Sequence, residues 1–451
     1  MKLQIFRPKS SLITESGMTY LSQSLASFLN MLTVIILARL VGASGFGVYN
    51  LATALFGFMV IIGNLGIQNS YVYNLGRKKF KQEELFGFLI AISIGFGILT
   101  VGIFFILFIL FKSQFLNIFG EEKYNGYIFA MMLFIPLGIA RLHIKYFFLG
   151  LKDIKRFNFL SICDTVFCTL LVIILVLVIK LDVRGALLAW TLSICFSFLV
   201  HLILLLKKVT PKFGINLSIF KVALRYGFLA FTCGIMQLVN LRLDLFLVGY
   251  FLTVKDVGYY AIAVGLSNFV LRTSKSVCTV LFPRYSSLDD QKSNKLTATV
   301  VRNSVFLLST LSITMVFFGK PLIHLFYGKE YIPSYKPFLI LLPGVIALTI
   351  THLVYGNFMG KGIPKMGIYA FFSSLLFTVT LDFLLIPLWG IAGAAVASSI
   401  SYGIGALVIS QKYTAESDET FADLLIIKKS DFLIYKNILT RSLKAKNEAK
   451  V

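Results

Sequence analysis

The sequence predicts an all-α polytopic membrane protein, with twelve transmembrane helices in two pseudo-symmetric six-helix bundles. Three observations predict it. Hydrophobic residues make up 57% of the 451 positions and charged residues only 14%, too few charges to cover a water-facing surface of this size. Apolar runs long enough to cross a bilayer recur along the chain, with short polar connections between them. Motifs of the first half return in the second at a near-constant offset of about 210 residues.

A bilayer core needs about 20 apolar residues per helix. Twelve runs meet that need, near 17–41, 48–73, 84–111, 124–148, 158–179, 185–206, 226–252, 257–282, 300–319, 335–357, 366–388 and 390–411. They divide the chain into an N-terminal arm (1–15), a first lobe (16–210), a second lobe (211–412) and an amphipathic tail (413–451). The first run is too long for a signal-peptide core and no small-residue cleavage site follows it, so it reads as a spanning helix. Connections are short throughout, the longest outer loop running from Lys320 to Pro333. In the tail, Phe421, Leu424, Leu425, Phe432, Ile438 and Leu439 alternate with Lys428, Lys429, Lys436 and Lys444. These runs cannot span, and they read as cytosolic helices lying at the anionic inner leaflet.

A net charge of +23 would suit a nucleic-acid binder if the charge lay on one face. It does not. The Lys and Arg residues concentrate on the N-terminal arm, the tail and alternate loops, as in Arg77, Lys78, Lys79 and Lys81, then Lys152, Lys155 and Arg156, then Lys207, Lys208 and Lys212. That alternation places both termini in the cytoplasm and the chain in the inner (plasma) membrane. No nucleic-acid partner is expected.

The repeat is the most informative feature. LARLVGASGFGVYNLATAL (37–55) aligns with VGYFLTVKDVGYYAIAVGL (248–266), so that Gly47 matches Gly258, Tyr49 matches Tyr260, Ala52 matches Ala263 and Leu55 matches Leu266. Gly150 in FFLGLKDIK matches Gly360 in NFMGKGIPK, and Gly185 in VRGALLAW matches Gly393 in IAGAAVAS. The offset spans an even number of helices, so the two halves share one orientation. Gly393, Ala397, Ser401 and Gly405 form a smooth stripe, repeated by Gly185, Ala189 and Ser193, which reads as close helix packing in lipid.

Signals of chemistry are few. Cys163, Cys168, Cys195, Cys233 and Cys278 all lie in apolar runs without a CxxC pair, and read as small buried hydrophobes. The nearest text to a phosphate loop, Gly356 to Gly362, has the wrong spacing and lacks the hydroxyl that holds magnesium. No HExxH, nucleophile elbow or metal-spaced His/Cys cluster occurs. The chain is expected not to be an enzyme, to hold no metal, and to need no cofactor beyond coupling to H+ or Na+. A sugar polymerase or ligase would carry a large outer loop with catalytic groups, and none is present.

The residues now carry a resemblance. ARLVGASGFGVYNLATAL, NLRLDLFLVGYFLTVKDVGYYAIAVGL, TVLFPRYSSL and GKGIPKMGIYAFFSSLLFTVTLDFLLIPLWGIAGAAVASSISYGIGA resemble, in order and spacing, segments of the polysaccharide-biosynthesis and O-antigen flippases. These form a branch of the multidrug/oligosaccharidyl-lipid/polysaccharide exporter superfamily. The resemblance covers residues ~15 to 412. It implies translocation of an undecaprenyl-pyrophosphate-linked oligosaccharide, an O-antigen or capsule repeat unit, from the cytoplasmic to the periplasmic leaflet by alternating access. It also implies membrane lipid, polysaccharide polymerase and chain-length machinery as partners. Where relatives often carry Asn in the eleventh helix this chain has Asp382, so a simple carry-over fails there. The alternative is an ion-coupled small-molecule or drug exporter of the same superfamily.

Charges inside the spans are the candidate site residues, because an ionised group at mid-bilayer costs roughly 2.5–3.5 kcal/mol and needs a partner or a polar cavity. Arg242 and Asp244 sit two apart in the seventh span, too far around the helix to pair with each other. Arg242 is the first candidate for the substrate pyrophosphate; a structural ion pair with another helix is the other reading. Arg272 and Lys275, three apart in the eighth span, suit a phosphate docking site or snorkelling to the surface. Arg39 ends the first span as a release guide or an interfacial anchor. Arg141 and Lys145, with His143 between them, read equally well as snorkelling. Asp244, Asp164 and Asp382 are candidates for ion or proton coupling, against the reading of hydrogen-bonded core acids. His201 and His352 read as structural.

Overall fold

The computed structural model describes residues 9–76, 80–120, 122–213, 217–285, 289–361, 363, 365–429 and 431, with some side chains inside these ranges left undescribed. Among them the chain is helical, without a strand. The helices are α1 (Lys9–Asn64), α2 (Ile67–Gly76), α3 (Gln82–Leu110), α4 (Lys112–Phe119), α5 (Asn125–Met132), α6 (Ile135–Gly150), α7 (Ile154–Val172) and α8 (Asp182–Leu206). They continue as α9 (Leu217–Phe251), α10 (Val254–Tyr285), α11 (Asp290–Tyr327), α12 (Tyr335–Gly360), α13 (Lys365–Trp389), α14 (Ile391–Ala415) and α15 (Phe421–Leu425).

Among the described residues, nine helices are long and apolar enough to cross a membrane, and ten if the pair bent by 46° ahead of Ile135 is one span. The expected twelve are consistent with this. Helix α1 is broken at Gly42, whose φ of 67° and ψ of 177° are non-helical, so its 56 residues form two rods. That left-handed φ favours glycine, which has no Cβ to clash. On α10 the side chains of residues 270 and 272–285 lie outside the described set. The bend before α6 precedes Pro136, which lacks an N–H to continue the α5 ladder.

One difference from the sequence reading concerns a connection. Helix α11 runs through Pro321 to Tyr327, so the outer connection before α12 shrinks to a short 3-10 turn, Lys329–Ser334. Of the tail, residues 413–429 and 431 are described, and Phe432, Lys436, Ile438, Leu439 and Lys444 lie outside the described residues. Helix α15 starts in a capping box in which the Thr420 hydroxyl accepts from the Asp423 N–H and Asp423 accepts from the Thr420 N–H. It inserts Leu424, 1% exposed, among Ala298, Val301, Phe358, Ile409 and Tyr413.

The chain forms two compact units. The first comprises Met1–Ile262, Leu322–Ser334 and Asp382–Ala394. Its core gathers Tyr71 of α2, Phe86 of α3, Phe147 and Phe148 of α6, Leu160 of α7 and Leu205 of α8. The second comprises Ala263–Pro321, Tyr335–Leu381 and Ala395–Val451. There the Asn357 amide of α12 donates to Ser293 and Thr297 of α11, each at 2.9 Å. The Tyr413 hydroxyl of α14 donates to the Asn294 carbonyl at 2.7 Å.

Large apolar side chains also point outward. On α3, Ile98 is 63% exposed and Ile109 73% exposed. Water would penalise such a face and hydrocarbon does not. The small-residue stripe does the packing expected of it: a Cβ on Gly393 would collide with the Leu385 carbonyl of α13, and Ala397 and Ser401 are fully buried.

Candidate functional site

Three polar assemblies stand out, all in the first compact unit. The first surrounds the break in α1. Restarting a helix at Ala43 leaves N–H groups without intrahelical partners. The Glu330 carboxylate accepts from the Ala43 N–H at 3.3 Å, where a helix N-terminus favours negative charge. Arg39 does the converse at the end of α11, donating to the Phe326 carbonyl at 2.8 Å and to the Leu325 carbonyl. The Tyr331 hydroxyl donates to the Ala38 carbonyl at 3.1 Å. Arg39, one of the candidates for substrate contact, thus works here as a cap on helix carbonyls.

The same assembly joins the two repeats symmetrically. Gly47 packs against the Val254 carbonyl, and Gly258 packs against the Ala43 carbonyl, each with no room for a Cβ. Ala43 and Val254 are equivalent positions of the repeat, as are Gly47 and Gly258. Each glycine therefore touches the backbone that its own counterpart's neighbour provides. In the second repeat the helix break corresponding to Gly42 falls at Thr253, whose hydroxyl oxygen accepts from the Asp256 N–H at 3.2 Å and so caps α10.

The second assembly is acidic. Asp244 on α9 is 1% exposed; one carboxylate oxygen accepts from the Tyr260 hydroxyl at 2.6 Å and the other from the Leu245 N–H at 2.8 Å. Asp382 on α13 is fully buried, and neither carboxylate oxygen has a hydrogen-bond partner. Asp244 lies within electrostatic range of it. The Phe251 and Phe383 rings, 5.6 Å apart, pack α9 on α13 beside the pair. Two buried carboxylates facing one another repel unless a cation or a proton sits between them.

The third assembly is centred on Asp164 of α7. Arg141 lies 3.5 Å from it and Lys145 3.3 Å, both from α6, and His201 Nε2 of α8 lies 3.6 Å away. Asp164 is therefore an ion-pair partner of α6, and Arg141 and Lys145 do not simply reach for the surface. His143, between them in sequence, turns the other way. It is fully buried and bridges Ser93 at 3.0 Å and Asn64 at 2.6 Å. Sequence reasoning missed His201, whose place near a span end gave no hint of a partner 37 residues earlier.

Arg242 is half-buried on α9. The side chains of Arg272 and Lys275 lie outside the described residues, as do Cys233 and Cys278. Cys163, Cys168 and Cys195 are free thiols.

The profile of a family described as "Polysaccharide biosynthesis protein" matches residues 36–336, about two thirds of the chain. The chain belongs to this family. The match takes in the Gly42 break, the symmetric glycine contacts, the Asp164 cluster and Asp244, and ends short of Asp382. Among relatives of this chain is a "Probable low-salt glycan biosynthesis flippase Agl15" of Haloferax volcanii, 28% identical over 173 residues, 37% of this chain and 36% of the relative. An uncharacterized membrane protein of Methanocaldococcus jannaschii is 26% identical over 233 residues, 49% of this chain and 45% of the relative. The matched stretches span less than half of either relative's own length. Among solved structures, the Lipid II flippase MurJ in an inward closed conformation superposes with a TM-score of 0.75 at 17% identity, over 94% of this chain and 92% of that one. An inward-facing multidrug resistance MATE family transporter superposes with a TM-score of 0.72 at 15% identity, over 87% and 94%. The chain thus has the fold of these transporters and is a multi-span membrane protein.

Proposed function

We propose that this protein is a flippase for an undecaprenyl-pyrophosphate-linked oligosaccharide, an O-antigen or capsule repeat unit. It carries the unit from the cytoplasmic to the periplasmic leaflet of the inner membrane by alternating access, with both termini in the cytoplasm. It catalyses no covalent step. It works beside a polysaccharide polymerase and chain-length machinery. The observation that carries this reading is the family match over residues 36–336, which includes the structurally special part of the repeat. The curated flippase of Haloferax volcanii and the lipid flippase fold support it.

In this reading Asp244 and Asp382 bind the coupling ion, H+ or Na+, because Asp382 is buried without a hydrogen-bond partner. Arg242 serves the pyrophosphate, and Arg272 and Lys275 serve its entry. A second reading, an ion-coupled small-molecule exporter, draws on the multidrug transporter fold and on the acidic pair.

Deleting the gene in its host separates the two. A flippase leaves no surface polymer and accumulates unpolymerised lipid-linked units on the cytoplasmic face. Intact polymer with raised drug sensitivity would overturn the flippase reading and establish the exporter.

A further inference from the structure

The Asp164 cluster is used neither by the outer contacts of the repeat nor by the acidic pair. It lies on three successive spans. Arg141 and Lys145 are one turn apart on α6 and so face the same way. Arg141 is nine residues before the end of α6 at Gly150, roughly 13 Å along the helix axis.

Three features of the cluster point to a ligand. The first is charge. Two cations share one carboxylate, and the histidine brings no negative charge to offset the second. His201 Nδ1 lies 2.6 Å from the Ser197 carbonyl, so it carries the proton and donates it there. A net positive charge is left within a span, where charge without compensation is costly.

The second feature is incomplete bonding. Asp164 Oδ1 has no hydrogen-bond partner, and neither does His201 Nε2 beside it. Lys145 Nζ donates to Asp164 Oδ2 at 3.3 Å, while Arg141 is held by charge at 3.5 Å, so the carboxylate does not saturate the donors of the two cations. A phosphate offers more oxygens, and a guanidinium with an ammonium one turn away is a donor set matched to it. The third is access. The side chains of Arg141, Lys145 and Asp164 keep 24%, 22% and 19% of their exposure, while His201 keeps none. The cluster is backed by His201 and open at its cationic side.

We propose that Arg141 and Lys145 form a phosphate-docking pair for the pyrophosphate end of a lipid-linked substrate, with Asp164 as the resident counter-ion that the phosphate displaces. The proposal deepens the flippase reading and rests on it. Without cargo, Asp164 holds the two cations. With cargo, the phosphate takes them and neutralises the charge they leave in the lobe. Five residues beyond Asp164 on α7, the Thr169 hydroxyl shares a buried hydrogen bond of 2.8 Å with Thr33 of α1.

The test uses the full chain in phosphatidylcholine nanodiscs, with geranylgeranyl pyrophosphate as probe and geranylgeraniol as its uncharged control. Expected is binding of the pyrophosphate alone, weakened about tenfold (about 1.4 kcal/mol) or more in R141Q/K145Q. Substitution D164N removes the competing anion, so affinity should rise, whereas a merely structural cluster would lose it. The variant K152Q/K155Q, at two exposed lysines around the start of α7, should bind as wild type. Should R141Q/K145Q not fold, R141K keeps the charge balance and loses the planar fork, and its affinity should still fall. Wild-type affinity in R141Q/K145Q, with surface polymer still made, overturns the docking pair and leaves the flippase reading standing. No binding by the wild type, with intact polymer in the gene deletion, overturns both. Competition by phosphatidylglycerol in place of phosphatidylcholine would assign the pair to a phospholipid headgroup and overturn its role in cargo binding.

Discussion

Adding a methyl group at Gly47 or Gly258 should push the protein out of the conformation described here. A Cβ on Gly47 would lie 3.0 Å from the Val254 carbonyl carbon, and one on Gly258 would lie 2.9 Å from the Ala43 carbonyl carbon, with the oxygens nearer still. Non-bonded carbons rest at about 3.5–4.0 Å. The two backbones must therefore part by at least about half an ångström, and the obstacle is main chain, which has no rotamer to yield. Overpacking of this kind costs about 1–3 kcal/mol. If the contact breaks during transport, that cost falls only on the closed arrangement, and the open one gains about 5- to 150-fold in relative population.

Spin labels at Lys180 and Lys329, both exposed, would report it by double electron–electron resonance. The expected result is a longer-distance population in G47A and again in G258A, of similar size because the two contacts are equivalent. Gly57 is the control, since a Cβ there meets nothing within 4 Å. Its replacement by Ala should leave the distances unchanged. The reasoning is refuted if G47A and G258A fold, bind into the membrane and give the wild-type distance distribution.

Three further outcomes are expected. Asp382→Asn should abolish the dependence of transport in proteoliposomes on an imposed H+ or Na+ gradient, while Asp164→Asn, which alters an ion pair, should keep it. Arg242→Ala should reproduce the loss of surface polymer seen on deletion, with Arg242→Lys restoring part of it. Asp431→Asn should release the tail, because Asp431 is 1% exposed and accepts from Arg302 Nη2 at 2.7 Å and from Nε at 2.5 Å. Breaking such a buried pair costs about 3–5 kcal/mol, read as a lower melting temperature and faster proteolysis at Lys428 and Lys429. The Arg302 hydrogen bonds hold the Asp431 carboxyl down at about 2. A depressed acid stabilises above its ordinary pKa, so the tail should stay docked above about pH 4 and loosen as pH falls towards 2.

Much of the architecture is legible because lipid imposes a simple rule on length and charge. A run of apolar residues must be long enough to span, and basic loops must alternate, so the runs and the glycine repeat can be read without knowing any contact. Asp244 and Asp382 are legible for the same reason, since a carboxylate in an apolar run stands out. Their meeting is not, because α9 and α13 lie far apart in sequence and nothing local says which faces adjoin. Arg302 and Asp431 are 129 residues apart, and each looks like an ordinary surface charge until the pair is seen.

The deeper limit lies in the solvent. In water the apolar stripe of a helix marks its buried face, and periodicity then reveals partners. In lipid both faces are apolar: α3 buries Phe86 and Leu89 yet exposes Ile98 and Ile109. Hydropathy therefore reports that α3 spans and is silent on what it packs against. Only the exceptions carry direction: small residues where backbones touch, and charges where water or a ligand must be. Gly47 and Gly258 are exceptions of the first kind, and the repeat revealed them. Arg141, Lys145 and Asp164 are exceptions of the second kind. Their spacing on two helices fits surface snorkelling as well as convergence, and only the fold brings Asp164 between the two cations.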